Sequence, residues 1–308
     1  MTGLDAPPFG KLGASRARVA LDRLYLDFDQ PNEVADPVEL VQRYADRADQ
    51  EVAGFCAAGL AFGRVASVLS SVESLFSAMG PSPAAFVRQF DPGQRHQAIR
   101  QLRHRWIGGS DIVALLVVLR HMLDTAGSIE QFFLCGYHPE ADDIGPALDD
   151  FCSRAREVDV ESVYRRSGER RGVWYFFPRP SDGSACKRLN LYLRWMVRHD
   201  RIDFGAWSHV DPSHLVVPLD THVIRVGQCL GLTSYRSPGW PMAREITLAL
   251  RQLDPHDPVK YDFSLCHIGM QNACGFNQPQ GDQRCPLRGV CMPRADIPRR
   301  SPRPSGQR

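Results

Sequence analysis

Lysine is nearly missing from this chain. Only Lys11, Lys187 and Lys260 are lysines; the other thirty-four basic residues are arginines. Arginine cannot give up its proton to become a nucleophile, whereas lysine can when its surroundings favour the neutral amine. Each remaining lysine therefore raises the question of what arginine does not supply there. Long apolar runs are missing too. The longest, Ile112 to Leu119, is far too short to span a bilayer, which takes about 20 residues. The start, MTGLDAPPFGKL, has no basic segment followed by an apolar run, which argues against a signal peptide and leaves the cytoplasm as the default location. Net charge is scarce at +2, so global charge does not announce a polyanion partner. Internal repeats, coiled-coil heptads and sustained period-two alternation are absent. Nine cysteines, an odd number in a chain without an export signal, argue against disulfides.

What is present is an ordinary globular composition. The 308 residues fit one large domain or two ordinary ones, with 43% apolar and 23% charged residues. Amphipathic runs recur between Gly, Pro and Ser punctuation. They cover Leu21 to Phe28, Pro37 to Tyr44, Asp91 to Trp106, Ser110 to Thr125 and Gly145 to Glu157. Asp49 to Phe62 is rich in Ala and Gly, which predicts close helix–helix packing. Only Gly172 to Phe177 reads as extended. The fold class is all-α. Cys56, Cys135, Cys152, Cys186 and Cys229 read as small buried hydrophobes. The tail from Arg294 to Arg308 carries three prolines and five arginines and reads as a disordered basic arm.

Two stretches carry candidate chemistry. In SDGSACKRLNLYLRWMVR, Gly183, Ser184 and Ala185 form a small-residue turn that delivers Lys187 onto a helix start. Free amides at such a start favour an anion. Leu189, Leu193 and Met196 mark the apolar stripe. Arg188, Arg194 and Arg198 are then available to phosphates. Between Arg154 and Arg201 there are twelve basic and six acidic residues, which fits either a phosphate-binding face or a solvated one. In the second stretch, LVVPLDTHVIRVGQCLGL, Asp220 is an N-cap candidate and Gly231 a helix stop. Capping alone explains most such aspartates, and His222 reads as structural.

Taken together these residues resemble the helix-hairpin-helix and Gly/Pro-Asp DNA glycosylase superfamily, which includes endonuclease III and the adenine and 8-oxoguanine glycosylases. VPLDTHVIRVGQCLGL is close to the superfamily's literal pattern. Gly183 falls at the first hairpin glycine and Lys187 at the hairpin lysine. Ala185 replaces the second glycine, and the interval from lysine to aspartate is longer than usual. The similarity is greatest to an uncharacterised bacterial and archaeal branch, from about Asp36 to Gly269.

The resemblance implies a two-lobed helical glycosylase-like fold. Residues 1–50 and 213–293 would form a discontinuous terminal lobe, 51–212 a barrel-like lobe with the hairpin, and 294–308 the tail. It implies a base excision repair enzyme, a glycosylase/AP lyase acting on a damaged or mispaired base. Lys187 would attack C1′ and form a Schiff base. Asp220 would stabilise charge on the sugar or help deprotonate the lysine. Gly183, Ser184, Ala185, Arg188, Arg194 and Arg198 would contact DNA. The partner would be double-stranded DNA with a flipped-out base, and the protein a monomer without membrane contact. The alternative is a non-catalytic nucleic-acid-binding protein that keeps the glycosylase fold. The superfamily's endonuclease III and adenine types hold a [4Fe-4S] cluster on C-x6-C-x2-C-x5-C. Here Cys266, Cys274, Cys285 and Cys291 follow C-x7-C-x10-C-x5-C. Four thiols in so short a span suit an iron–sulfur cluster or zinc, and no metal at all is the third reading, with Cys266 in a helical core.

Overall fold

A computed structural model of the chain describes residues 13–29, 36–94, 96–164, 172–270 and 285–291. The described residues are mostly helical. In chain order the helices are α1 (Gly13–Phe28), α2 (Val38–Val41), α3 (Arg47–Leu60), α4 (Val65–Met79), α5 (Pro83–Arg88) and α6 (Gln97–Gln101). They continue as α7 (Gly109–Ala126), α8 (Ile129–Leu134), α9 (Gly145–Glu157), α10 (Lys187–Val197), α11 (Thr221–Cys229), α12 (Trp240–Arg251) and α13 (Asp262–Met270). A two-stranded antiparallel hairpin, β1 (Arg103–His104) and β2 (Ile107–Gly108), lies between α6 and α7. The all-α class holds. Among the described residues no helix is long and apolar enough to cross a membrane.

The chain divides into two compact units, Asp29–Leu215 and Met1–Phe28 with Val216–Arg308. The first break therefore falls at residue 28 rather than at the expected 50. The physical reason is that α2 and the start of α3 pack inside the larger unit.

In that larger unit α3 is buried along nearly its whole length. Its Ala and Gly content lets neighbours come close, as the sequence predicts. A Cβ on Gly54 would stand 2.5 Å from Met196 and 3.4 Å from the Tyr192 ring, so α10 lies directly on this face. Asp46 caps α3 by accepting from Ala48 N–H at 2.9 Å. Two acids are buried within α3 itself. Asp49 accepts from Ser82 Oγ at 3.0 Å and from Ala84 N–H at 2.8 Å, holding the start of α5. Glu51 accepts from Ile129 N–H at 3.0 Å, Glu130 N–H at 3.3 Å and Trp207 Nε1 at 2.8 Å, capping α8 from outside its own helix. Burial pushes the Glu51 carboxyl above its usual range, and the three donors pull against that shift.

In the smaller unit α13 packs on α11 and on α1. Tyr261 donates to Asp22 at 2.7 Å, and Lys260 bridges Asp22 at 3.1 Å and Asp254 at 2.7 Å. Burial raises the Asp22 carboxyl, but Tyr261 and the Lys260 ammonium outweigh it and hold it below 3.8.

Several local expectations are corrected. Asp91 to Trp106 is not one helix. The Asp91 carboxylate turns back onto Gly93 N–H at 2.8 Å, a five-residue helix follows, and the chain then reverses through the hairpin. Gly172–Phe176 is a 3-10 helix, not extended. The run expected to start at Ser110 starts one residue earlier, as α7 is capped at Gly108, whose N–H donates to Asp111. Cys135 is exposed rather than buried. The tail lies outside the described residues.

Two outcomes are expected from these interactions. Asp203 is buried against Arg194 at 3.1 Å and against Arg198. Asp203→Ala should destabilise the larger unit by ~3–5 kcal/mol, because it leaves buried guanidinium charge without its acid, and denaturant melts would show it. In the smaller unit, depressed carboxyls contribute stability above their unfolded values that disappears as pH falls through the folded ones. Below about pH 4 wild type should lose this contribution, whereas Lys260→Met, which lacks the bridge, should show a shallower acid limb in thermal melts.

Candidate functional site

The turn before α10 is staked down by α9. Asp149 accepts from Ser181 N–H at 3.0 Å and from its hydroxyl at 2.7 Å. Arg156 donates to Phe177 carbonyl at 2.9 Å. The thiols of Cys152 and Cys186 both donate to Pro178 carbonyl at 3.3 Å. Gly183 closes the turn onto Pro180 carbonyl at 2.9 Å with φ 80, a conformation that suits glycine. Nothing stands within 4 Å of where its Cβ would be, so the turn faces open space. Gly183 is exposed, and Ser184 and Ala185 are half-buried.

Cys186 then adopts a left-handed conformation (φ 49), and α10 begins at Lys187 without a side-chain cap. The first-turn amides are thus left to another acceptor. Burial pushes the Cys186 thiol up to about 12, so it is no nucleophile at neutral pH. Lys187 is half-buried and forms no ion pair among the described residues. Lys260 is committed to Asp22 and Asp254, and Lys11 lies outside the described residues. The element before the turn is the 3-10 helix Gly172–Phe176, not an α-helix.

The three arginines of α10 do not face phosphates. Arg188 is buried, donates to the carbonyls of Gly59 (3.0 Å) and Tyr175, and places its guanidinium 3.4 Å from the centre of the Tyr175 ring. Burial pulls its pKa down to about 10, which still keeps it charged at neutral pH. Arg194 and Arg198 are buried on Asp203, and Arg198 also meets Asp200 at 2.9 Å. The helix buries more than its apolar stripe, and these arginines are spent inside. As phosphate contacts they are corrected.

Asp220 does cap α11. Its Oδ1 accepts from His222 and Val223 N–H, both at 2.8 Å. Its Oδ2 accepts from the Cys266 thiol at 3.0 Å. The carboxylate is half-buried, with both oxygens aimed by donors. Such a carboxylate holds negative charge at a fixed place, which suits stabilising positive charge that develops beside it. The Cys266 contact has no sequence signal beyond the thiol itself, because the two residues meet only through the packing of α13 on α11.

The cysteine set does not gather among the described residues. Cys266 is engaged as a donor to Asp220, Cys285 is buried, Cys291 is half-buried, and Cys274 lies outside them. No group of three or more His, Cys, Asp and Glu among the described residues stands ready to hold a metal. Three of the four thiols lie among the described residues, and Cys274, the fourth of the expected set, lies outside them.

α11 and α13 touch at Gly269, where a Cβ would lie 2.5 Å from His222 Cβ. Neither atom is at the free end of a flexible chain. Gly269→Ala should therefore cost ~1–3 kcal/mol and disturb the aspartate two residues before His222, measurable as a lowered Tm of the full chain.

The chain matches a protein family described as "Protein of unknown function (DUF2400)" over residues 36–271. That span includes Lys187, Asp220 and Cys266 and stops before Cys274, Cys285 and Cys291. No curated protein and no solved structure matches significantly. With more than half of its length matched, and with the lysine-bearing turn and the aspartate-capped helix both inside the match, the chain belongs to the DUF2400 family.

Proposed function

We propose that this protein is a DNA repair glycosylase/AP lyase that acts on a damaged or mispaired base through a Schiff base on Lys187. The observation that carries the proposal is the state of that lysine. It opens α10, whose first-turn amides lack a side-chain cap, behind a solvent-facing turn, and it has no ion-pair partner among the described residues. The other described lysine is held between two acids. The resemblance of VPLDTHVIRV to the glycosylase pattern supports the same reading, and so does the fixed carboxylate of Asp220.

The chemistry follows from these groups. The Lys187 nitrogen adds to C1′ through its lone pair and gives up a proton as the base departs with the electrons of the glycosidic bond and takes up a proton; the ring oxygen then leaves C1′, protonated, and the opened sugar is left as a protonated imine on the lysine. Loss of a C2′ proton then expels the 3′ phosphate. The resemblance to the glycosylase pattern assigns Asp220 the stabilisation of the cationic sugar. The uncapped first-turn amides of α10 hold a backbone phosphate without reading sequence. The finer fold expectation, a glycosylase-like two-lobed arrangement with a helix-hairpin-helix motif, belongs to this proposal.

Borohydride reduction of the protein with a duplex containing an abasic site tests it. A covalent protein–DNA adduct is expected, and it should vanish in Lys187→Gln. An adduct that persists in that variant removes Lys187 from the role. DNA binding with no adduct at all leaves the non-catalytic reading in its place.

A further inference from the structure

The hairpin that the sequence conceals presents an unusual surface. Trp106 sits in its two-residue turn and is 58% exposed, the most exposed aromatic among the large hydrophobics of the described residues. Its inner side rests on Phe62 (ring centres 4.9 Å apart) and meets the Tyr175 ring edge-on at 5.3 Å. Both neighbours are themselves half-exposed. Phe62 is held from behind. The buried His104 ring contacts it at 4.6 Å, and its two nitrogens bond Ser71 Oγ at 2.9 Å and the Phe62 carbonyl at 2.8 Å. Tyr175 is backed by the Arg188 guanidinium. The outer tryptophan is therefore floating on a rigid aromatic base rather than on solvent.

Positive charge surrounds it. Arg105, the other turn residue, holds its guanidinium 5.1 Å from the Trp106 ring and adopts a left-handed backbone (φ 55) that side chains rarely take. Arg103 lies three residues before Trp106, and Arg64 follows Phe62 and Gly63, the latter lying against the Arg105 side chain; both are exposed, and none of the three arginines forms an ion pair among the described residues. Arg103 bonds only to the carbonyls of Arg100 and Leu102. The acid at the root of the hairpin, Asp111, is buried and taken up by Gly108 N–H and the Tyr164 hydroxyl. An exposed flat ring with uncancelled guanidiniums beside it has two needs, a π-face and anions. A nucleic-acid strand supplies both in register, as base and phosphate.

We propose that this hairpin tip is a nucleic-acid contact on which an unpaired base stacks against Trp106, with Arg64, Arg103 and Arg105 meeting the flanking phosphates. The contact rests on the nucleic-acid part of the function proposed above and is independent of the lysine chemistry. An unpaired base has an open face for stacking, whereas bases within a duplex are already stacked.

Anisotropy titration of the full chain with a short fluorescein-labelled oligothymidine tests the assignment. Trp106→Ala should weaken binding about tenfold, and Trp106→Phe should keep most of it, because any aromatic face can stack. Arg103→Ala should flatten the log–log salt dependence by about 0.7. Thermal melts should show each variant fully folded at the titration temperature, since Trp106→Ala removes only surface contacts to Phe62 and Tyr175 and Trp106→Phe keeps a ring there. Unchanged affinity in Trp106→Ala overturns the proposal, as does wild-type protein that fails to bind the oligonucleotide. Tighter binding of polyglutamate than of oligothymidine overturns it in favour of an acidic protein partner. Trp106-dependent binding in a protein that gives no borohydride adduct upholds this surface while removing the lyase.

Discussion

Two carboxylates buried in one helix organise the larger unit. An acid inside a helix is costly unless donors surround it, and α3 surrounds Asp49 and Glu51 with the amide starts of two other helices. The desolvation cost of each acid is thus offset by unsatisfied amides that would otherwise be costly at α5 and α8. Arg188 completes the pattern at the other end of α3 by donating to the Gly59 carbonyl. The same helix lacks bulk at Gly54 and Gly59, which admits Met196 and Tyr192 on one side and Phe176 on another. Close approach and polar satisfaction are therefore one design: neighbours near enough to pack are near enough to be capped.

Much of this was legible in the residues. Helix boundaries marked by strong local chemistry were read correctly, as at Gly145–Glu157 and at the Asp220 cap. The Ala and Gly content of α3 announced close packing. What escaped depends on contacts that periodicity does not display, some of them distant and some only a few residues away. Arg188, Arg194 and Arg198 looked like a cationic face because their partners, Gly59 carbonyl and Asp203, do not show in helical periodicity. The hairpin escaped because its strands have two residues each, too few to display alternation.

The candidate site divides along the same line. Lys187 and Asp220 were legible because lysine is rare and the aspartate motif is specific. The contact of the Cys266 thiol with the Asp220 carboxylate was not legible, because it arises only where α13 packs on α11. The aromatic base under Trp106 was equally hidden, since Phe62, His104 and Tyr175 come from three separate segments.

Arg188 has one further consequence. Neighbouring residues on an α-helix point about 100° apart around its axis. Arg188 is pinned by two carbonyls and the Tyr175 ring, so the azimuth of α10 is set at its first turn. Lys187, one residue earlier, inherits its heading from that interior anchor. The helix cannot roll to turn the amine inward. What freedom remains is in the four-carbon stem, which sweeps a cone whose axis is chosen by an arginine the amine never touches.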